Sequence, residues 1–255
     1  MKRLATITML MVLPVSMPIF ADGKFTLSSG STYTSGDYNS PNTTEILYIP
    51  VSLKYTQDKW NIKLTVPYLK IKGPQNVLPN IGRVNQNTTV KNVVNDGLGD
   101  ITLSTGYRLV YLPKAKTIID LTGKIKFGTA DQDKFLGTGQ TDYSLNFGLY
   151  KLIGKFTPYA TIGRKFYGES ATVKLNDVFF ASAGLGYKIS NKTSTGANFY
   201  WKNKTASTRS NTRELSAYMS YKIDTSWKLQ GYIIKGLSDN TADIGGGFSL
   251  AYKFN

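Results

Sequence analysis

The sequence contains no histidine and no cysteine among its 255 residues. Without histidine, Ser-His-Asp hydrolysis and most zinc sites are excluded, and so are the His-dependent lipases and acyltransferases that some membrane barrels carry. Without cysteine, the chain can be neither a disulfide scaffold nor a lipoprotein anchored through an acylated cysteine. We therefore expect neither an enzyme nor a protein that holds a cofactor or a metal ion.

Long hydrophobic runs are absent after the first 21 residues, where no window resembles a transmembrane helix. Residues 1–21 open with two basic residues, continue with an apolar stretch from Leu4 to Phe20 and end at Ala21, a pattern typical of a cleaved signal peptide. Two prolines interrupt this short stretch, which makes an uncleaved membrane anchor the weaker alternative. The sequence predicts an exported protein with a signal peptide at 1–21 and one domain at 22–255.

Acidic residues are scarce, since 16 Asp and Glu stand against 31 Lys and Arg, of which only Lys2 and Arg3 belong to the signal peptide. An excess of basic over acidic residues suggests nucleic acid as a partner. However, the basic residues are scattered singly, and exported chains seldom meet nucleic acid. We expect outer-membrane lipid and small-molecule solutes as partners, and no nucleic acid; the oligomeric state stays open.

Apolar and polar residues alternate strictly along much of the chain, most clearly between Asp177 and Lys204. The two arms of this segment meet at Asn191-Lys192, which predicts a tight turn because Asn tolerates a positive φ. Strict alternation predicts strands with one apolar and one polar face. The apolar face can pack in a soluble sandwich or meet the lipid around an outer-membrane barrel.

Twelve segments of about 10 to 14 residues show this strand character. They are 24–34, 44–56, 60–72, 98–112, 117–128, 142–153, 155–167, 177–190, 193–203, 213–223, 227–237 and 244–254. The connections between them alternate without exception between short and long, as in transmembrane barrels with short periplasmic turns and longer external loops. We therefore predict an all-β fold, an antiparallel transmembrane β-barrel of about 12 strands in the outer membrane of a Gram-negative bacterium. A soluble sandwich is the weaker alternative.

The polar face of the predicted strands carries mostly cations. Alternation places Asp120, Glu214 and Asp224 inside, together with a larger basic set: Lys54, Lys63, Arg108, Lys124, Lys126, Lys165, Lys188, Lys202, Lys222 and Lys228. A lumen with this excess would concentrate anions and repel cations. The alternative is that the inward charges form structural ion pairs that fill a narrow barrel.

The longest connection, from Gly73 to Gly97, is rich in Val, Leu and Ile. Three roles are open for it: constricting the pore, covering a small hydrophobic site, or forming a self-packed external cap. Asp131-Gln132-Asp133 lacks the remaining ligands of a calcium loop. The glycine-rich stretches at 97–100 and 137–139 are not followed by helices, so they predict turns into strands rather than phosphate-binding loops.

Several segments resemble a family of outer-membrane transporters associated with the meta pathway of phenol degradation. They are GLGDITLSTGYRL (97–109), DLTGKIKFGTAD (120–131), LGTGQTDYSLNFGL (136–149), RELSAYMSYKI (213–223) and KGLSDNTADIGGGFSLAYKF (235–254). The segments follow each other in the expected order, and the region from 97 to 254 that they span is more than half of the mature chain. It implies an outer-membrane barrel that passes small molecules, and it leaves the solute open.

These observations predict a channel or passive transporter for small anionic solutes, such as aromatic acids or acidic sugars. Solutes would diffuse along the inward Lys and Arg side chains, with the loop from Gly73 as a gate. The alternative is a non-conducting structural or surface-interaction barrel. An outer-membrane enzyme is disfavoured by the lack of histidine.

Overall fold

The computed structural model of the chain describes residues 23–40, 42–79, 81–84, 91–170 and 173–254. The predicted signal peptide lies outside these residues. The described part contains fifteen strands, with these bounds: β1 Lys24–Gly36, β2 Thr44–Gln57, β3 Trp60–Pro74, β4 Val77–Leu78, β5 Gly82–Arg83, β6 Asn92–Leu98, β7 Thr102–Leu112, β8 Thr117–Lys126, β9 Asp142–Lys151, β10 Phe156–Phe166, β11 Val178–Lys188, β12 Thr193–Lys202, β13 Thr212–Lys222, β14 Trp227–Gly236 and β15 Ile244–Lys253. Within the described residues, no helix is long and apolar enough to cross a membrane.

The strands form a closed antiparallel barrel. β4 and β5 form a separate two-stranded sheet, and the other thirteen strands form the wall. Wall strands pair with their neighbours in chain order, and the first strand β1 pairs with the last strand β15. Because β6 and β7 pair one after the other with β3, together they fill a single position in the wall, which therefore has twelve strands. The predicted fold class is confirmed.

The outer face of the barrel is apolar, as the alternation predicts. Trp60, Ile62 and Leu64 on β3 are exposed, and so are Tyr143, Leu145, Phe147 and Leu149 on β9. So many exposed apolar side chains are stable only in contact with lipid, because the exposure of each one to water is unfavourable in free energy. Exposed aromatic residues lie at both ends of the wall, including Trp60 and Trp227 beside short turns and Phe166 and Phe179 beside long loops.

The sequence predicts the fourth wall strand as a single segment at 98–112, and the structure differs from this prediction. It begins at Asn92, breaks between Leu98 and Thr102, and shifts its pairing with β3 by one residue at the break. Pro67 of β3 lies opposite the break and has no N–H to donate, so its carbonyl instead accepts a hydrogen bond from Gly99 N at 2.8 Å. The extra residue is a β-bulge, and sequence alternation alone did not reveal it.

Candidate functional site

The cross-strand register sorts the inward side chains into oblique rows that wind around the lumen. Residues opposite each other on neighbouring strands share a face, and the stagger of a closed barrel makes such a row climb as it passes from strand to strand. The structure places all twelve predicted pore-lining residues at positions that alternate with the lipid-facing ones. Whether solutes contact them stays a prediction.

One row, here called the lysine row, carries five of the inward cations. It runs through Lys253, Thr26, Lys54, Lys63, Ser104, Lys124, Ser144 and Lys165. It starts at the periplasmic end, where Lys253 closes β15, and ends beside the external loops, where Lys165 is next to last in β10. Lys253 was missed by the sequence prediction, although its position in the alternation of β15 would have identified it.

Two members of the predicted cationic set are neutralised by buried carboxylates. Asp142 is the centre of this cluster: its Oδ2 lies 2.9 Å from Lys165 Nζ and 3.5 Å from Lys126 Nζ, and its side chain is 3% exposed. Lys126 Nζ also lies 2.5 Å from Asp100 Oδ2. The sequence prediction included neither Asp100 nor Asp142, so it overestimated the free positive charge at the external end of the lumen.

The bulge in the fourth strand explains why Asp100 reaches this cluster. Leu98 is 60% exposed and faces lipid, so strict alternation from it would turn Asp100 outward as well. The one-residue shift between β6 and β7 instead brings Asp100 to the lumen, where its Oδ1 accepts the backbone N–H of Ala130 at 3.0 Å.

Three lysines of the row have no carboxylate partner among the described residues. Among the described residues, Lys54, Lys63 and Lys124 have no carboxylate within 4.0 Å. Lys63 and Lys124 point inward and are nevertheless exposed, so the interior at these positions is open to water. Lys54 and Lys63 lie directly opposite each other on β2 and β3.

The other predicted residues divide between the two ends of the barrel. Arg108 and Asp120 form a loose pair at 3.9 Å. Lys188, Lys222 and Lys228 are exposed near the periplasmic end, with Lys222 opposite Lys228. Lys202 is buried near the external end, where the charge of Glu214 acts on it.

Asp224 lies outside the lumen, in the turn between β13 and β14, and therefore does not act as an inward acidic companion. The backbone N–H groups of Trp227 and Ser226 each donate to its Oδ1 at 2.7 Å, and they hold the pKa of this carboxyl below its usual value. Asp131 has a similar local role, because its Oδ1 accepts the N–H groups of Asp133 and Lys134. Among the described residues, no group of three or more potential ligands could hold a metal ion.

The external loops fold together into an apolar cluster, here called the loop cap. Val77 from the longest loop packs with Ile46, Leu69 and Ile71 of the inner wall, and with further loop residues: Tyr38, Ala130, Leu136 and Ala242. A second part of the cap joins Leu78, Val84 and Val173 with Ile81, Phe135 and Leu175. Burial in the cap raises the pKa of the Tyr38 phenol to about 12.

The short hairpin of β4 and β5 is central to the loop cap. Leu78 and Val84 are each only 1% exposed. Arg83 Nη1 donates to the carbonyl of Asn39 at 3.1 Å, and a side chain at Gly82 would contact the Asn240 carbonyl at 3.2 Å. The described part of this loop packs both on the inner wall and against other external loops, and whether it constricts the pore stays a prediction. Val90, part of the same loop, lies outside the described residues.

Comparison with known proteins identifies the relatives of this chain. The sequence model of one family, described as "Putative MetA-pathway of phenol degradation", matches residues 21–254. No curated protein matches the sequence.

Solved structures show the same fold at low sequence identity. A KdgM porin superposes with a TM-score of 0.58 at 10% identity, covering 90% of this chain and 99% of the porin. A NanC porin gives a TM-score of 0.53 at 10% identity, covering 90% and 99%. The translocator domain of the autotransporter NalP from Neisseria meningitidis gives 0.52 at 10% identity, covering 91% and 88%. The fold is that of outer-membrane barrels, and the predicted outer-membrane location is confirmed.

Proposed function

The chain belongs to the MetA-pathway of phenol degradation family, and from that premise we propose that it is a passive outer-membrane channel for small anionic solutes. The observation that carries the proposal is the set of unpaired inward lysines, Lys54, Lys63 and Lys124. The likeness of the fold to the KdgM and NanC porins supports the channel role, and the lysines supply the preference for anions.

The spacing of these lysines suits transfer of an anion from site to site. Neighbouring strands lie about 4.8 Å apart, so the backbones at Lys54 and Lys63 are about 5 Å apart, and Lys124 lies about 10 Å from Lys63. Conduction needs sites that attract an ion and still release it. A series of exposed ammonium groups fulfils both conditions, because water in the lumen limits the strength of each contact.

The loop cap supports a second candidate, a non-conducting structural or surface-interaction barrel. Its apolar contacts join several loops at the external end, and the ion pairs of Asp142 lie on the inner wall near the same end. In the channel proposal, this arrangement is the closed state and the hairpin of β4 and β5 is the gate.

Single-channel recording in a planar bilayer separates these candidates. Under a salt gradient, the refolded protein should show discrete current steps and a reversal potential that indicates anion preference. Replacing Lys63 and Lys124 together by Gln should lower the anion-to-cation permeability ratio by about fivefold per charge, since one charge contributes ~1 kcal/mol at 4 Å in water. Replacement of both by Glu should make the channel prefer cations.

The matched control is Lys59→Gln with Lys114→Gln, which removes two exposed lysines from the short turns. This control should leave the permeability ratio unchanged. Cation preference in the wild-type protein, or an equal response in the two variants, would contradict the role of the lysine row. A folded barrel that never conducts would instead establish the non-conducting alternative.

A further inference from the structure

Five inward tyrosines follow a second oblique path through the lumen. Tyr150, Tyr159, Tyr218, Tyr232 and Tyr48 occupy inward positions on β9, β10, β13, β14 and β2, and all five are partly exposed. No loop residue forms part of this set. Together they are called the tyrosine track here.

Stacking, strand pairing and a hydrogen bond link these tyrosines into a path along the wall. Tyr150 and Tyr159 stack with their ring centroids 6.0 Å apart and their planes at 25°. Tyr218 and Tyr232 lie directly opposite each other on β13 and β14. Tyr159 and Tyr218 approach each other over β11, because a Cβ at Gly184 would lie 2.4 Å from the Tyr159 hydroxyl oxygen and one at Gly186 would lie 3.3 Å from the Tyr218 hydroxyl oxygen. Thr32 of β1 lies directly opposite Tyr48. The Tyr232 hydroxyl also forms a hydrogen bond with Thr32 Oγ1.

Glycines allow the rings to lie along the wall. A Cβ at Gly184 would come within 2.4 Å of the Tyr159 ring, and one at Gly196 within 2.7 Å of the Tyr218 ring. Each ring therefore covers the backbone of a neighbouring strand and presents its other face to the lumen. Aromatic faces placed in this way are suited to stacking with a flat ring.

Compared at the same height in the barrel, the tyrosine track and the lysine row lie on opposite sides of the lumen. At mid-height the track passes β13 and β14, whereas the lysine row passes β3 and β7. Twelve strands about 4.8 Å apart, tilted by about 40°, enclose a barrel about 24 Å across. Inward Tyr and Lys side chains narrow this width, so that a small solute on the tyrosines lies about 10 Å from the ammonium groups opposite, which is about one Debye length at 0.1 M salt.

We propose that the tyrosine track and the lysine row together form a binding path for aromatic carboxylates. The ring of the solute stacks on the tyrosines, and its carboxylate lies in the positive field of Lys54, Lys63 and Lys124 on the opposite side of the lumen. This assignment rests on the proposed channel function and narrows its substrate class. A neutral phenol would use only the tyrosines, and a short aliphatic acid only the lysines, so both would bind more weakly.

The test is the time that single solute molecules block the anion current. Benzoate is compared with acetate, which lacks the ring, with benzyl alcohol, which lacks the charge, and with cyclohexanecarboxylate, whose ring is not flat. Benzoate should give the longest block. Tyr218→Leu with Tyr232→Leu should shorten the benzoate block by about tenfold, whereas chloride selectivity and the acetate block should not change. Tyr218→Phe with Tyr232→Phe keeps the rings and should retain most of the benzoate block.

The outcomes separate this inference from the proposed function. An anion-selective channel whose benzoate block is unchanged in the leucine variant overturns the tyrosine track alone, as does equal block by benzoate and cyclohexanecarboxylate. If the wild-type barrel does not conduct, the channel proposal fails, and saturation-transfer NMR of benzoate with the detergent-solubilised barrel tests the track instead. Loss of benzoate saturation in the leucine variant then supports the binding path, and equal saturation overturns it.

Discussion

At the scale of single residues, Asp142 is the most constrained charge in the described part of the barrel. Its carboxylate faces two ammonium groups and also accepts the N–H of Gly168 at 3.2 Å. Removing one member of a buried ion pair leaves the other charge uncompensated, which costs more than the pair itself contributes. Lys126 still has Asp100 as a partner, but Asp142 is the only carboxylate within 4.0 Å of Lys165 among the described residues.

Asp142→Asn should therefore lower the free energy of unfolding by about 3 kcal/mol. The substitution keeps the shape of the side chain and removes its charge, so the loss reports on the ion pairs rather than on packing. Urea unfolding in detergent micelles or lipid vesicles measures the difference. Asp133→Asn, in an exposed part of the same loop region, is the control and should change little. Equal stability of Asp142→Asn and the wild-type protein would show that the lumen solvates Lys165 adequately without Asp142.

At the scale of single elements, the close contact between β10, β11 and β12 depends on a residue without a side chain. A Cβ at Gly184 would lie 2.4 Å from the Tyr159 ring and 2.7 Å from the Ala197 carbonyl oxygen. The ring can turn away, but the carbonyl belongs to the strand ladder and cannot. Gly123 differs, because no atom lies within 4 Å of the Cβ that a side chain would add there.

Gly184→Ala should destabilise the barrel by about 1–3 kcal/mol, and Gly123→Ala should have almost no effect. Both substitutions add one methyl group to a wall strand, so their difference isolates the close approach at Gly184. The midpoint of heat-dependent migration on gels and urea unfolding both measure it. A similar loss of stability in the two variants would show that strand entropy or lipid contacts dominate instead.

The fourth wall strand shows why the ends of a strand were harder to predict than which of its side chains face the lumen. Alternation placed Arg108 on the inward face, as the structure does, but it placed the start of the strand six residues late. A second bulge, between Arg108 and Val110, interrupts the same strand again. Each bulge depends on the partner strand, so it leaves little trace in the local pattern of the sequence.

At the scale of the whole molecule, the loop cap joins loops that are distant in sequence over one end of the lumen. Tyr38, Val77, Leu136 and Ala242 come from four different loops and meet in a single apolar cluster. The cluster buries apolar side chains at the external end, whereas exposed lysines line the interior below. A change that weakens the apolar contacts should therefore favour the open state without disturbing the wall.

Leu78→Asp with Val84→Asp should raise the fraction of time that the channel is open by about tenfold or more, because a buried unpaired carboxylate strongly destabilises its surroundings. Single-channel recording gives this fraction directly. Ser207→Asp, which adds a carboxylate at an exposed position of another external loop, is the control. An unchanged open fraction in a folded Leu78→Asp, Val84→Asp barrel would mean that the cap is not the gate.

The sequence by itself determined the barrel, its two faces and its family, because strand alternation and the order of short and long connections are local properties with a period of two residues. The tertiary structure alone decided which inward charges meet. Register and closure align Lys54, Lys63 and Lys124 into one row, and a bulge brings Asp100 to Lys126. It also decided that the apolar loops converge into a cap, since contacts between distant segments depend on the closed wall that holds them together.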